Sequence, residues 1–266
     1  MNPFTSHLGS LSVQAGVLVS AGIALLAFGF RALTGLGALA ATAIGSAILI
    51  GTGLPGGAAL LTFFIGSSIV SRVSPDPASR LGAKGSRRDQ WQVLANGGTA
   101  AVGALLGEGA GLWIVTASLA VAAADTWATS IGAWSPRPPR HLLSGKVVPP
   151  GTSGGITLLG TVGALGGAVM VAGVGTLASH QGGLLPFATM VGLAGMLADS
   201  ALGAGLQGRF CCAQCREDTE RRVHHCGTRS VPRGGLPWLN NDGVNALATA
   251  LGGMAGWAGW WWLGSR

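Results

Sequence analysis

Charge is scarce in this chain: of 266 residues only 9% are Asp, Glu, Lys or Arg, while 48% are hydrophobic. So few charges cannot clothe a soluble surface, which excludes an ordinary water-soluble domain and points to a multi-span membrane protein. The first apolar run lacks a basic start and a small-residue cleavage pattern, so it reads as a retained helix and not as a secretory leader. The glycine-rich segment at 151–155 lacks a Gly-Lys-Ser/Thr ending, which excludes a Walker phosphate loop. Histidine is missing from every apolar run. The formal charge is +7, yet in a membrane chain basic loops report orientation first, and no nucleic-acid partner is expected.

Glycine, by contrast, is abundant at 47 residues. Small residues let membrane helices approach closely where no hydrophobic effect draws them together. Runs of roughly 17–25 apolar residues can cross about 30 Å of hydrocarbon. Eight such runs are predicted, at 9–30, 33–53, 55–73, 91–107, 109–133, 157–178, 184–206 and 243–263. The expected fold is an all-α polytopic membrane helix bundle forming one domain over residues 1–266, with a Cys/His-containing loop at 207–242. Glu108 reads as a solvated residue in the turn between the fourth and fifth runs.

The long connections 74–90, 134–156 and 207–242 each follow an odd-numbered run and therefore share a side. With Arg31 and Arg72 they hold 15 of the 16 Lys and Arg residues, leaving Arg266 opposite. An excess of Lys and Arg makes that face cytoplasmic and puts both termini outside, in a membrane of bacterial inner-membrane type. Trp257, Trp260, Trp261 and Trp262 are expected to form an interfacial aromatic belt on the outer face.

Two acidic residues interrupt this apolar pattern, Asp125 after Ala122-Ala123-Ala124 and Asp199 after Met196-Leu197-Ala198. A carboxylate within a span is costly and normally faces a protein interior or a wet cavity where it has a partner. At about 1.5 Å of rise per residue, Asp125, Asp199, Asn96, Gln92, Asp242 and Asn245 all fall in the cytoplasmic third of the membrane. That is headgroup depth, where a water-soluble reactant meets a lipid-bound one. Asp125-Thr126 with Thr129, and Asp199-Ser200, form a weak internal echo. Oxygen ligands from separate helices suit Mg²⁺, which uses one or two carboxylates plus substrate phosphates. Helix-packing hydrogen bonds, or a proton relay in a transporter, would use the same residues.

Other segments add phosphate and metal chemistry. Lys84, Arg87 and Arg88 precede a helix on which Asp89, Gln92 and Asn96 follow at short helical spacing, so cations for phosphate oxygens adjoin an amide-bearing face. A plain positive-inside loop accounts for the two arginines but not for Asn96. Gly151-Thr152-Ser153-Gly154-Gly155 runs into a helix start, where exposed backbone N–H groups and the helix dipole favour an anion; an ordinary turn with an N-cap reads the same way. Asn240, Asn241, Asp242 and Asn245 open the last span with more polar groups than a cap requires. Cys212-x2-Cys215, followed by His224, His225 and Cys226, has the spacing of a structural Cys₃His Zn²⁺ site, with Cys211 as a substitute for Cys212 and either histidine as the fourth ligand. A cytoplasmic loop keeps thiols reduced, which argues against disulfides.

On these segments, Lys84–Gly98, Ala124–Thr129, Val148–Gly155, Ala198–Ser200 and Trp238–Asn245, the chain resembles the integral-membrane family that includes transmembrane protein nineteen and the plastid phytyl-phosphate kinase. The resemblance covers most of residues 60–260 in the family's order. It implies phosphoryl transfer from a nucleoside triphosphate such as CTP to an isoprenoid monophosphate, phytyl or polyprenyl, at the face of the lipid bilayer. By that implication Lys84, Arg87 and Arg88 hold phosphates, and Asp125, Asp199 and Asp242 bind Mg²⁺. Asn96, Asn241 and Asn245 orient oxygens, and the 151–155 turn cradles a phosphate. The family usually carries Glu directly after the Asp-Thr-Trp-Ala-Thr motif, where this chain has Ser130. Two other classes use the same residues: a carrier of a cation or phosphorylated lipid, and a CTP-dependent lipid cytidylyltransferase.

Overall fold

The computed structural model describes residues 12–75 and 87–264. Within them the chain forms α1 (Val13–Gly29), α2 (Gly35–Val73), α3 (Gln90–Ala104), α4 (Ala110–Gly132), β1 (Arg140–His141), β2 (Gly155–Ile156), α5 (Leu158–Ser179), α6 (Leu184–Leu206), β3 (Arg209–Cys212), β4 (Asp218–Thr219), β5 (Ser230–Gly234) and α7 (Asn241–Gly259), closed by a π-helical turn at Trp260–Gly264. Four helices, α2, α4, α5 and α6, are long and apolar enough to cross a membrane.

The described residues contain seven α-helices and not the eight expected, because the second and third runs join in the 39-residue α2. A straight helix of that length would extend about 58 Å, roughly twice the hydrocarbon thickness. Gly53 breaks it, with φ 62° and ψ −155°, two residues ahead of Pro55. A positive φ at that position suits glycine, and proline cannot donate the hydrogen bond that would continue the ladder. The halves fold back on each other: a Cβ on Gly45 would lie 3.8 Å from Leu60 Cδ2, and one on Gly57 would lie 2.3 Å from Leu49 Cδ2. Residues 15 apart in one helix stand about 22 Å apart, so these contacts require the reversal.

The core is built around α4. Its residues Gly111–Ala124 are buried almost without interruption, and α2, α3, α5, α6 and α7 all pack on it. A helix that is apolar on every side belongs in the middle of a bundle. Small residues on the neighbours bring backbones together. A Cβ added to Gly167 of α5 would stand 2.8 Å from the Ala123 carbonyl oxygen, and one on Gly256 of α7 would stand 2.6 Å from that of Trp113. Thr249 Oγ1 donates to the Ala95 carbonyl at 2.9 Å, pinning α7 to α3. Meanwhile the outer faces carry exposed Leu18, Leu158, Val162 and Met190, a lipid-facing pattern. Trp260 departs from the expected aromatic belt: it packs edge-on against Trp113 at 6.4 Å, while Trp257, Trp261 and Trp262 remain exposed.

Two small antiparallel sheets qualify the all-α expectation. β1 pairs with β2 inside the 134–156 connection, and β3 lies between β4 and β5 in the Cys/His segment. A long polar connection against a helix end has backbone groups to satisfy, and short ladders satisfy them.

Candidate functional site

The long connections meet at one end of the bundle, around a cavity of about 1100 Å³. It is lined by the end of α2 and Arg88, the first turns of α3, the last turns of α4, the 150–157 segment, the end of α6, Glu220 and Arg221, and the start of α7. Residues far apart in sequence thus share one wall.

Asp125 on α4 and Asp199 on α6 face each other within hydrogen-bonding reach. Asp199 is buried, and with the Asn245 amide turned so that its nitrogen meets acceptors, Asn245 donates to Asp199 Oδ2 at 2.9 Å and to the Asn241 carbonyl at 3.2 Å. Spacing of i, i+4 on α7 lets one amide tie its own helix turn to a carboxylate on α6. Asp242, in the first turn of α7, lines the same cavity, whereas Asn240 is the helix cap, accepting from Gly243 N at 3.0 Å.

Arg88 is one of four arginines on this lining, with Arg72, Arg137 and Arg221. Its backbone bonds to Ala32 and Thr34, and its guanidinium lies over the rings of Phe63 at 5.3 Å and Phe64 at 5.7 Å. Among the described residues no carboxylate pairs with it. Burial lowers its pKa to about 10, leaving it cationic at neutral pH. A desolvated guanidinium beside a cavity, held by aromatic faces, is suited to a phosphate oxygen pair.

Arg87 does not join it. Its side chain donates to the Leu33 carbonyl at 3.1 Å and reaches over Phe28, clipping the segment to the end of α1. Asp89 caps α3 in a capping box: its carboxylate accepts from Gln92 N at 2.9 Å, and Gln92 Oε1 accepts from Asp89 N at 3.2 Å. Asp89 is therefore placed as a cap outside the cavity lining, while Gln92 and Asn96 line it. Lys84 lies outside the described residues.

The 151–155 turn packs on α6 beside Asp199. Gly154 has φ 76°, and a Cβ there would come within 2.8 Å of the Ser200 carbonyl, so both the conformation and the close approach call for glycine. Thr152 Oγ1 caps the turn on the Pro149 carbonyl at 2.8 Å. The anion this turn holds is a side chain of the protein: Ser153 donates through its backbone N–H and its hydroxyl to Glu220, whose other oxygen accepts from Gln207 Nε2 at 2.7 Å. Burial pushes the Glu220 carboxyl above the usual glutamate range, opposed by those donors. Sequence reasoning missed Glu220 and Gln207. Glu220 stands in a charged stretch that reads as a solvated loop, and nothing local marks it.

Thr129 faces the cavity, and Thr126 Oγ1 bonds back to the Ala122 carbonyl at 2.8 Å. Ser130 sits 3.3 Å from Ser71 Oγ, and its carbonyl accepts from Ser74 Oγ at 2.7 Å, joining the end of α2 to α4. On the β3–β5 sheet, Cys212, Cys215, His224 and Cys226 converge with all ligand atoms within 4.8 Å of one another. His224 is buried and belongs to this group of four; the His225 ring lies 3.8 Å from it, tilted by 50°, and Cys211 lies on the alternate face of β3.

An apolar-surfaced helix bundle with a polar cavity at its loop end defines an integral membrane protein. The chain belongs to the family described as integral membrane protein DUF92, whose model matches residues 18–253. It is 31% identical to Protein PGR of Arabidopsis thaliana over 73% of this chain and 78% of that protein. It is 29% identical to an uncharacterized membrane protein of Methanocaldococcus jannaschii, over 90% of this chain and 91% of that one. No solved structure matches it.

Proposed function

We propose that the cavity is the active site of a membrane lipid-phosphate kinase, which transfers a phosphoryl group from a nucleoside triphosphate, CTP favoured, to an isoprenoid monophosphate. The observation that carries this reading is the convergence of Asp125, Asp199 and Asn245 with Arg88 around one cavity of about 1100 Å³. Ligand pockets commonly enclose 300–1,000 Å³, so there is room for two polar reactants.

Two carboxylates in contact repel, and a divalent cation between them reverses the sign of that interaction; the donor set of hard oxygens fits Mg²⁺. Bound there, Mg²⁺ would neutralise charge on the transferring phosphoryl group. Asp125 and Asp199 would hold it, with Asp242 on the substrate side. Asn245 positions Asp199, and Arg88 takes phosphate oxygens. An oxygen of the lipid phosphate attacks the terminal phosphorus, and the bond to the bridging oxygen breaks with its electron pair, releasing a nucleoside diphosphate. The attacking oxygen is already anionic, so no general base is required, and positioning with charge neutralisation carries the chemistry. The lipid tail would lie against the glycine-rich helices. The excess of Lys and Arg at this end supports a cytoplasmic orientation.

Purified protein in detergent, given phytyl or polyprenyl phosphate, CTP or ATP, and Mg²⁺, is expected to yield lipid diphosphate and nucleoside diphosphate. Release of pyrophosphate with a CDP-lipid would replace this reading with cytidylyltransfer. Absence of turnover over a panel of nucleotides and lipid phosphates, with substrate flux in proteoliposomes, would replace it with a carrier.

A further inference from the structure

We infer that Cys212, Cys215, His224 and Cys226 bind a zinc ion that folds the β3–β5 hairpins into a rigid clasp, and that the clasp holds the glycine-rich turn of the cavity through Glu220. The inference does not rest on the kinase reading.

The distances have the scale of a tetrahedral site. With Zn–S near 2.3 Å and Zn–N near 2.0–2.1 Å, ligand atoms should stand about 3.8 Å apart for two sulfurs and about 3.6 Å for sulfur and nitrogen. Cys212 Sγ and Cys226 Sγ are 3.6 Å apart, and His224 Nδ1 is 3.3 Å from Cys226 Sγ. A disulfide would bring the sulfurs to about 2.05 Å, and all four cysteines are free. The surroundings match as well. Cys215 N–H points at Cys212 Sγ at 3.4 Å, a bond that favours thiolate over thiol. The far nitrogen of His224, Nε2, faces the Glu217 carboxylate at 3.5 Å. A carboxylate on the outer nitrogen fixes the tautomer that leaves Nδ1 free to ligate. This chooses His224 over His225.

The position of the cluster gives it a purpose. Cys212 ends β3, Cys215 lies in the turn to β4, and His224 and Cys226 lie between β4 and β5, so one ion ties both connections. Glu220 directly follows β4, between the two ligand pairs, and reaches Ser153 and Gln207. Sheets this short, with strands of four, two and five residues, do not hold a half-buried carboxylate in register unaided. A closed site in which all four positions are protein ligands braces the fold and leaves no open position for catalysis.

The test reads metal and order, not activity. Full-length protein purified in detergent without added metal should contain one zinc per chain by elemental analysis, falling below a fifth of that in Cys226→Ser and Cys215→Ser. Cobalt(II) loading should give thiolate-to-metal charge-transfer bands that weaken in Cys226→Ser. Four freely titrating thiols with no zinc, or a Cys212–Cys226 disulfide by mass spectrometry, would overturn the site. Glu220→Ala should keep its zinc yet speed hydrogen exchange over residues 150–156, and chelation of the native protein should speed exchange there as well as over 209–234. Unchanged exchange at 150–156 in both experiments would overturn the clasp.

Discussion

The helix α4 passes through two environments. From Gly111 to Ala124 its neighbours press in on all sides, and backbones meet through glycine; from Asp125 to Gly132 the same neighbours leave a cavity. Both halves mix small residues with large ones, Trp113 in the first and Trp127 in the second, so side-chain size alone does not explain the difference. In the first stretch there is no charged group, the Ser118 hydroxyl is satisfied by the Ile114 carbonyl at 2.7 Å, and dispersion contacts favour close approach. In the second, carboxylates, amides and a guanidinium must be solvated or paired, and the polar connections hold the helices apart around them. Rigidity in one stretch is what makes precise placement possible in the other.

The largest expected effect comes from the polar stretch: Asp125→Asn should lower lipid-phosphate kinase turnover at least about a hundredfold, because metal-ligand and charge-neutralising contacts contribute several kcal/mol. Helix content by circular dichroism should stay at the native level. Loss of fold along with activity would dissolve the contrast between the two stretches.

Next is the packed stretch. In Gly192→Leu the new side chain meets Ala168 Cβ at 2.7 Å and the Ala120 carbonyl at 3.1 Å from its Cβ alone, so stability measured by denaturation in detergent should fall by about 1–3 kcal/mol. Gly173→Leu, where nothing stands within 4 Å, should be near neutral. Equal effects at the two sites would mean that glycine contact is not what holds the bundle.

Arg88→Lys should cost roughly tenfold in KM for the phosphate substrate, about 1.4 kcal/mol, with kcat nearly preserved, since a lysine replaces a flat two-pronged donor with a point charge. A change confined to kcat would count against phosphate binding by this residue. The smallest effect concerns Glu220. Its raised pKa means that the folded chain holds this proton more tightly, so the contribution to stability is present below the ordinary glutamate range and is lost as pH rises through the Glu220 value. Thermal melts of the native protein should therefore gain relative to Glu220→Gln on acidification. A pH-independent gap would contradict that sign.

Much of this site is legible along the chain because polar residues are conspicuous in apolar runs. Asp125, Asp199, Asn96 and Asn245 stand out for that reason, and helical rise alone puts them at one depth. Arg87 and Asp89 are where such reading fails. Adjacent residues of favourable type look equivalent in sequence, yet the Leu33 carbonyl takes up the Arg87 guanidinium, and the helix start claims Asp89 as its cap. The break at Gly53 is visible as Gly-x-Pro, but whether it kinks or reverses α2 depends on contacts between residues 45 and 60. Glu220 was hidden entirely, since its burial depends on a turn 67 residues earlier.

Sequence by itself determined that the chain lives in a membrane, that its polar groups gather at one end, and that glycine carries the packing, because each follows from local solvation and residue size. Only the tertiary structure decided which polar groups touch. The contact of Asp125 with Asp199, the seat of Arg88 over the Phe63 and Phe64 rings and the hold of Ser153 on Glu220 are long-range pairings, and they follow from how the helices cross and not from any one segment's composition.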